Sequence, residues 1–266
     1  MEPVNTDRFT GFAALYDAVR PQPPPKVCEI VLQLLGLSRL CSVVDLGAGT
    51  GLSTQIWTTL ADQLIGIEPT PDMIKTARLL HPELNFLQAT SYATTLPSQT
   101  ADLVVCSQSF HWMEPVATLR EIERILKPIG LFVSYDCQWP VSWYWPAEQA
   151  YDRLIRTAQE VAASIPPLAQ APARYPKEKH LEHLRDSGIF AYCGTVLFDH
   201  LEHCDAERFV GIALSQGHVQ DVLKAAPASL DRAIQELKST AQAGRSSVMR
   251  VSYTLHYGIR QEIGLR

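Results

Sequence analysis

The chain has 266 residues, of which 46% are hydrophobic and 19% are charged, and its formal net charge is −5. This composition is typical of an ordinary globular protein, and Lys and Arg form no marked cluster, so nucleic acid is not expected as a partner. No apolar run approaches the ~18 residues of a membrane-spanning helix, so no membrane partner is expected either.

Cellular location and metal binding can also be addressed from composition. The stretch MEPVNTDRFTGF has neither the basic nor the apolar region of a secretion signal, which favours a cytoplasmic protein. The six cysteines lie singly, without a Cys-x-x-Cys pair. Zinc sites cluster their ligands and disulfide scaffolds are cysteine-dense, so reduced thiols and no metal site are predicted.

Between residues 43 and 136, short apolar runs alternate with helical patterns. Alternation of this kind predicts a mostly parallel sheet with helices on both faces, whose ligands bind at the carboxyl ends of the strands. Ser53 and Pro71 stand near the starts of two helical patterns, as helix caps and first-turn prolines do. The predicted strands are 42–47, 63–69, 85–89, 101–108 and 131–136, and the predicted helices are 53–61, 70–81 and 115–128.

After Asp136 the pattern changes to CQWPVSWYWP, whose prolines are expected to interrupt a regular helix. The later chain completes a seven-stranded α/β fold with a late helical and aromatic cap. One domain over 1–266 is predicted, with a core at 9–136 and cap insertions at 137–190 and 205–243. The later elements are an irregular stretch at 164–176, a helix at 177–190, strands at 192–203 and 247–260, and helical pieces within 205–243.

The stretch VVDLGAGTG places Gly47, Gly49 and Gly51 directly after the first strand. A dinucleotide-binding turn would need a third glycine where Leu52 stands, and a phosphate-binding P-loop would need a lysine after the last glycine. The pattern therefore favours a turn that exposes backbone to another ligand, and a turn without ligand is the alternative. Glu68, at the end of the second strand, suits the hydroxyls of a ribose or the N-terminus of helix 70–81.

Five motifs in order resemble one family: VVDLGAGTG, IGIEPTPDMIKTA, FLQATSYATTLP, SQSFHW and EIERILKPIG. They resemble the class I S-adenosylmethionine-dependent methyltransferases with a Rossmann-like fold, especially the type 11 family and its trans-aconitate-methyltransferase-like branch. FTGFAALYDAVRPQP resembles the opening pattern of that branch, so the similarity covers roughly 9–136. Several motifs in the right order make the resemblance specific.

The resemblance implies that the cofactor is S-adenosyl-L-methionine and that separate residues meet its separate parts. The methionine part is expected near the glycine loop, the ribose near the end of the second strand, and adenine near the third. By role, the implied residues are Tyr16 and Arg20 in a covering helix, Asp45, Gly47, Gly49 and Gly51 at the methionine part, Glu68 at the ribose, Met73, Thr90 and Ser91 at adenine, and Gln108 at the methionine end and the acceptor.

His111 is the candidate catalytic residue, because it follows the fourth strand and a near-neutral imidazole suits a general base. The alternative is a structural imidazole that holds the turn before helix 115–128, and the resemblance favours this, since the His-Trp pair recurs in the branch. Trp112, Trp139 and Trp143 are predicted to bind the acceptor, with plain core packing as the alternative. Residues 215–218 are candidate polar lining.

The predicted activity is methyl transfer from S-adenosylmethionine to a small-molecule acceptor. O-methylation of a carboxylate or hydroxyl is favoured, although the sequence does not identify the acceptor atom. The alternative is a protein that binds S-adenosylmethionine for other chemistry or for regulation. A nicotinamide-dependent oxidoreductase is disfavoured by Leu52. Nothing in the sequence predicts an oligomeric state.

Overall fold

The computed structural model describes residues 18–169 and 174–260. Within these residues, seven strands form one sheet in the order β3-β2-β1-β4-β5-β7-β6. The strands are β1 Leu40–Leu46, β2 Ala61–Ile67, β3 Asn85–Leu87, β4 Ala101–Ser107, β5 Leu126–Cys137, β6 Phe190–His203 and β7 Val248–Arg260.

The centre of the sheet is parallel and apolar. β1 pairs in parallel with β2 and β4, so that Val43 lies beside Leu64 on one side and Leu103 on the other. β3 and β5 extend the parallel part, whereas β7 pairs with β5 in antiparallel register. Val43 and Leu103 are fully buried, as continuous apolar strands covered on both faces require. The predicted seven-stranded, mostly parallel sheet is confirmed.

The helices connect these strands and fill the later half of the chain. The helices Pro71–Leu80 and Pro115–Ile125 begin with a proline, whose fixed φ and missing N–H suit the first turn of a helix. The helices are α1 Lys26–Leu35, α2 Pro71–Leu80, α3 Pro115–Ile125, α4 Trp145–Ser164, α5 Pro166–Ala169, α6 His180–Asp186, α7 Ala206–Leu214, α8 Gly217–Ala225 and α9 Asp231–Ala241, with 3-10 turns at Thr54–Trp57, Phe110–Trp112, Lys177–Lys179 and Pro227–Leu230.

The predicted helix at 53–61 is wrong, since this stretch holds only the 3-10 turn Thr54–Trp57. Ser53 makes no cap hydrogen bond; its hydroxyl donates to Asp45 of β1. The Ser53 hydroxyl, which was expected to cap the helix, is therefore bound to Asp45 instead. The next strand, β2, begins at Ala61.

The other elements differ from prediction mainly in their ends. Helix α3 ends at Ile125 and not at Pro128, because β5 begins at Leu126 and includes that proline. The predicted helix 177–190 is a 3-10 turn followed by α6, and the left-handed Gly188 separates α6 from β6.

The chain divides into two compact units. The sheet unit comprises Gln22–Cys137, Arg174–Phe198 and Tyr253–Arg266, and the helical unit comprises Met1–Pro21, Gln138–Ala173 and Asp199–Ser252. The predicted single domain over 1–266 stays a prediction. Within residues 18–169 and 174–260, no helix combines the length and apolar character that crossing a bilayer needs.

Candidate functional site

The glycine loop follows β1, and its three glycines have φ values of 72°, 58° and 86°, in the left-handed region. A Cβ on Gly47 would lie 2.6 Å from the Cβ of Ser109, and a Cβ on Gly51 would lie 2.7 Å from the Cδ2 of His81. A Cβ on Gly49 would meet nothing within 4 Å. Close packing therefore explains why glycine is needed at positions 47 and 51, whereas the backbone of Gly49 borders open space.

Glu68 follows β2 and joins the glycine loop to the start of α2. Its Oε2 accepts a hydrogen bond from the Gly49 N–H at 3.0 Å, and its Oε1 accepts one from the Thr70 N–H at 2.8 Å. The side chain is buried, and burial raises the pKa of Glu68 although the bonds from Thr70 and Gly49 oppose this. A carboxylate offers about four lone-pair positions, so these bonds leave room for further donors.

Asp45 lies in β1 and is fully buried. Its Oδ2 accepts hydrogen bonds from Ser53 Oγ at 2.6 Å and Thr54 Oγ1 at 2.7 Å, whereas its Oδ1 is buried without a hydrogen-bond partner. Burial raises the pKa of Asp45 to about 6, against the effect of the two hydroxyls. A buried carboxylate oxygen without a partner is rare and suits a polar or cationic ligand group.

The residues predicted for adenine lie after β2 and β3. Met73 is buried on α2. Thr90 forms an isolated bridge with Ala93, and the hydroxyls of Ser91 and Thr118 are 2.9 Å apart. Their predicted contacts with adenine stay predictions.

Gln108, the predicted residue at the end of β4, has a left-handed φ of 51°. Its Oε1 accepts a hydrogen bond from Cys137 Sγ at 2.9 Å, and its N–H donates to Tyr135 O at 2.9 Å. Both partners belong to the neighbouring strand β5. This backbone bend leads the chain from the edge of the sheet into the turn that holds His111.

His111 is buried in the turn Phe110–Trp112 and faces the end of β5. Its Nδ1 lies 3.2 Å from Asp136 Oδ1, which is also 2.8 Å from Lys177 Nζ. His180 Nδ1 lies 3.5 Å from the other oxygen, Oδ2. Within the described residues, no group of three or more His, Cys, Asp or Glu side chains is arranged to hold a metal ion.

The charges in this cluster follow from burial and proximity. Burial lowers the pKa of His111 from 6.5, and the hydrogen bond to Asp136 only partly offsets this, so the imidazole is neutral at pH 7. Burial would raise the pKa of Asp136, but His111 and Lys177 outweigh it and hold the pKa below its usual range. Burial also lowers the pKa of His180 to about 4. One carboxylate therefore faces one ammonium and two neutral imidazoles.

The start of the segment Arg174–Phe198 of the sheet unit contacts the turn Phe110–Trp112. The guanidinium carbon of Arg174 lies 4.3 Å from the ring centroid of Trp112. The backbone N–H of Tyr175 donates to His111 O at 3.0 Å. Together with Lys177, these contacts secure Trp112, one of the predicted acceptor residues, against its own unit.

Sequence reasoning missed Asp136, Lys177 and His180. Asp136 was the last residue of a predicted strand, and the rule that ligands meet the carboxyl ends of strands could have identified it. Lys177 and His180 belong to a helical pattern far along the chain. Nothing in their spacing signals that they reach β5.

In the helical unit, Arg20 is buried against Trp139, with the guanidinium carbon 4.9 Å from the ring centroid. Its Nη2 donates to Ser215 O at 2.9 Å, and Gln216 Nε2 donates to Tyr151 Oη at 2.8 Å. The structure thus brings together Arg20, predicted for the cofactor, Trp139, predicted for the acceptor, and part of the candidate polar lining.

Trp143 and Tyr16 were also predicted for the site. Trp143 Nε1 donates to Ser246 O at 2.8 Å, its N–H donates to Glu148 Oε1 at 2.7 Å, and its ring centroid lies 5.0 Å from that of Phe209. These contacts fix Trp143 within the helical unit, and its predicted contact with the acceptor stays a prediction. Tyr16 lies outside the described residues.

Comparison with known proteins shows that part of the chain is similar to methyltransferases. Residues 44–134 match the family model of a methyltransferase domain. An uncharacterized methyltransferase-like protein of Schizosaccharomyces pombe is 29% identical over 130 residues, which cover 48% of this chain and 51% of that protein. The chain therefore spans about half the length of the curated relatives it matches.

Solved structures share the fold. A candidate type II methyltransferase from Anaeromyxobacter dehalogenans has a TM-score of 0.67 at 18% identity, covering 91% of this chain and 99% of that chain. The 4+2 cyclase SpnF has a TM-score of 0.54 at 17% identity, covering 98% and 96%. Such low identities show the fold alone.

The strand order and these neighbours together define a class I methyltransferase fold. The segment 44–134, which carries the glycine loop and Glu68, is the part that matches the methyltransferase family model. The resemblance predicted from the motifs is thereby confirmed. The trans-aconitate-methyltransferase-like branch stays a prediction.

Proposed function

We propose that this protein transfers a methyl group from S-adenosyl-L-methionine to a small-molecule acceptor. The observation that carries the proposal is the glycine loop of a methyltransferase domain, open at Gly49 and joined through its N–H to the carboxylate of Glu68. A formal charge of −5 supports a small acceptor over nucleic acid.

The residues of the loop fit this cofactor in three respects. The space beside Gly49 allows a ligand to approach the backbone. The unpartnered Oδ1 of Asp45 suits the ammonium group of the methionine part. The remaining lone pairs of Glu68 suit the ribose hydroxyls, which donate to a carboxylate at this position.

When bound, S-adenosylmethionine supplies an electrophilic methyl group on a positively charged sulfur. The protein then has to hold the acceptor in line with that methyl group and exclude water. We propose an oxygen acceptor, a carboxylate or a hydroxyl. Of these, only a hydroxyl has to lose a proton during transfer.

Calorimetry with S-adenosylmethionine, S-adenosylhomocysteine and NAD tests the proposal, with Gly49→Val as the variant. A valine there would fill the open space, so we expect donor affinity to fall at least tenfold. Gly36→Val is the matched control, because Gly36 also has a left-handed φ, 65°, and open space, but caps α1. Tight NAD binding without binding of the methyl donor would overturn the class, and unchanged affinity in Gly49→Val would overturn the placement.

The alternative is a protein that binds S-adenosylmethionine for other chemistry, and the fold shared with a cyclase supports keeping it in the test. The protein is incubated with S-adenosylmethionine carrying a labelled methyl group and with a metabolite extract. Mass spectrometry of a labelled product supports transfer. Donor binding without any labelled product supports the alternative.

A further inference from the structure

The turn that carries His111 packs against the glycine loop. Ser109 precedes this turn and Met113 follows it, and atoms of both come within 3.0 Å of the position that a Cβ on Gly47 would take. Ser109 Oγ also donates to Leu46 O at 2.7 Å. His111 is therefore held between two residues that contact the loop proposed to bind the methyl donor.

The carboxylate of Asp136 lies next to the His111 ring. Its carboxylate is buried at the end of β5, 3.2 Å from His111 Nδ1. A carboxylate only accepts hydrogen bonds, and a neutral imidazole has a single N–H. The favourable arrangement therefore has the hydrogen on Nδ1, which leaves the lone pair of Nε2 available as a base.

We propose that Asp136 is a positioning residue that holds His111 as the Nδ1–H tautomer, and that Nε2 of His111 accepts the proton of an alcohol or phenol acceptor. This inference rests on the proposed function and narrows its acceptor to hydroxyl compounds. A base placed against a carboxylate in this way has the geometry of catalytic acid–base pairs.

The proposed step balances as follows. The hydroxyl proton passes to Nε2 of His111, and a lone pair of the acceptor oxygen forms the bond to the methyl carbon. The electron pair of the broken carbon–sulfur bond goes to sulfur, which becomes a neutral thioether. The imidazolium of His111, stabilised by Asp136, then releases its proton to water.

Several other charged or titratable groups face this pair and will shape its titration. Lys177 contacts Asp136 directly, and the His180 ring stacks on that of His111 at a centroid distance of 6.4 Å. His256 of β7 lies behind His180, with ring centroids 6.2 Å apart. Burial, and to a smaller extent Lys177 and Arg174, lower the pKa of His111, which keeps the imidazole unprotonated and able to act as a base.

Nitrogen-15 NMR of histidine-labelled protein tests the tautomer without any acceptor, using His111→Gln to assign the signals. We expect His111 to be mainly the Nδ1–H form at pH 7, and Asp136→Asn to shift it towards Nε2–H. Asp102→Asn is the matched control, because Asp102 also pairs with a lysine, Lys127 at 2.7 Å, but at the start of β4. An Nε2–H tautomer in the unmodified protein would overturn the proposal.

Rates with a panel of phenols and a panel of carboxylic acids form the second test. For phenols, we expect His111→Gln to lower kcat by about 10²–10⁴-fold and to abolish its rise with pH, with donor affinity within twofold. Asp136→Asn should also lower kcat, but should move that rise to lower pH, because Asp136 raises the pKa of His111. Transfer that is confined to carboxylic acids, or phenol rates unchanged in both variants, would contradict the proposal. If the protein does not bind the methyl donor, the proposed function is refuted. The NMR measurement needs no donor, so it still tests whether Asp136 sets the tautomer of His111.

Discussion

Asp45→Asn should make the protein less sensitive to pH in the absence of ligand. Asp45 is fully buried and its pKa is raised from 3.8 to about 6, chiefly by burial. Since each pKa unit corresponds to about 1.4 kcal/mol, the whole shift is worth about 3 kcal/mol, and ionised Asp45 destabilises the native state by about 2 kcal/mol at pH 7 relative to pH 4. Asparagine has nearly the same shape, can accept from Ser53 and Thr54, and carries no charge.

The sign follows from proton binding. Between pH 3.8 and about 6, the native state keeps a proton on Asp45 that the unfolded chain has lost. The contribution of Asp45 to the free energy of unfolding is therefore fully present below pH 3.8 and is lost as the pH rises through about 6. The free energy of unfolding of Asp45→Asn, minus that of the unmodified protein, should rise by about 2 kcal/mol from pH 4 to pH 7.

Urea unfolding followed by tryptophan fluorescence at half-unit pH steps measures this difference. Ser53→Ala provides a second arm, because the Ser53 hydroxyl lowers the pKa of Asp45 and its removal should move the change to higher pH. A difference between Asp45→Asn and the unmodified protein that stays constant from pH 4 to pH 7 would refute this account of Asp45.

Three further variants probe other contacts. Glu68→Ala removes the acceptor of two backbone N–H groups and should lower the free energy of unfolding by about 2–3 kcal/mol in urea; an unchanged midpoint would contradict this. Trp143→Phe should cost about 1 kcal/mol, because it loses the hydrogen bond to Ser246 but keeps an aromatic ring, and a change in donor affinity would argue against a structural role. Lys177→Gln removes a charge that lowers the pKa of His111, so the NMR titration of His111 should move to higher pH, and a shift to lower pH would contradict the electrostatic argument.

The strands could be predicted because each is a local apolar run bounded by turn residues. β1 and β4 appear within two residues of their predicted ends, since parallel strands buried on both faces leave a continuous signal. The helix at 53–61 was lost for a reason that is not local. Its first hydroxyls bind Asp45, and the periodicity of the segment carries no information about that contact.

The site was predictable to the extent that its residues follow strands. The glycine loop, Glu68 and His111 all stand directly after a strand, and their positions along the chain were enough to select them. The environment of His111 was not predictable, because Lys177 and His180 reach Asp136 from a distant part of the chain. The sequence pattern around Lys177 and His180 indicates a helix, and it gives no indication that these side chains contact the end of β5.

The place of β7 in the sheet has a consequence for biosynthesis. β7 lies between β5 and β6, although it is the last strand in sequence among the described residues. At about 5–20 residues per second, a ribosome releases Val248–Arg260 on the order of 10 s after β5 is complete. During that interval β5 presents an unpaired edge, and β6, once it is made, has no partner in the sheet; unpaired edges of this kind promote aggregation. A nascent chain stalled before Val248 should therefore depend on chaperones more than one released after Arg260.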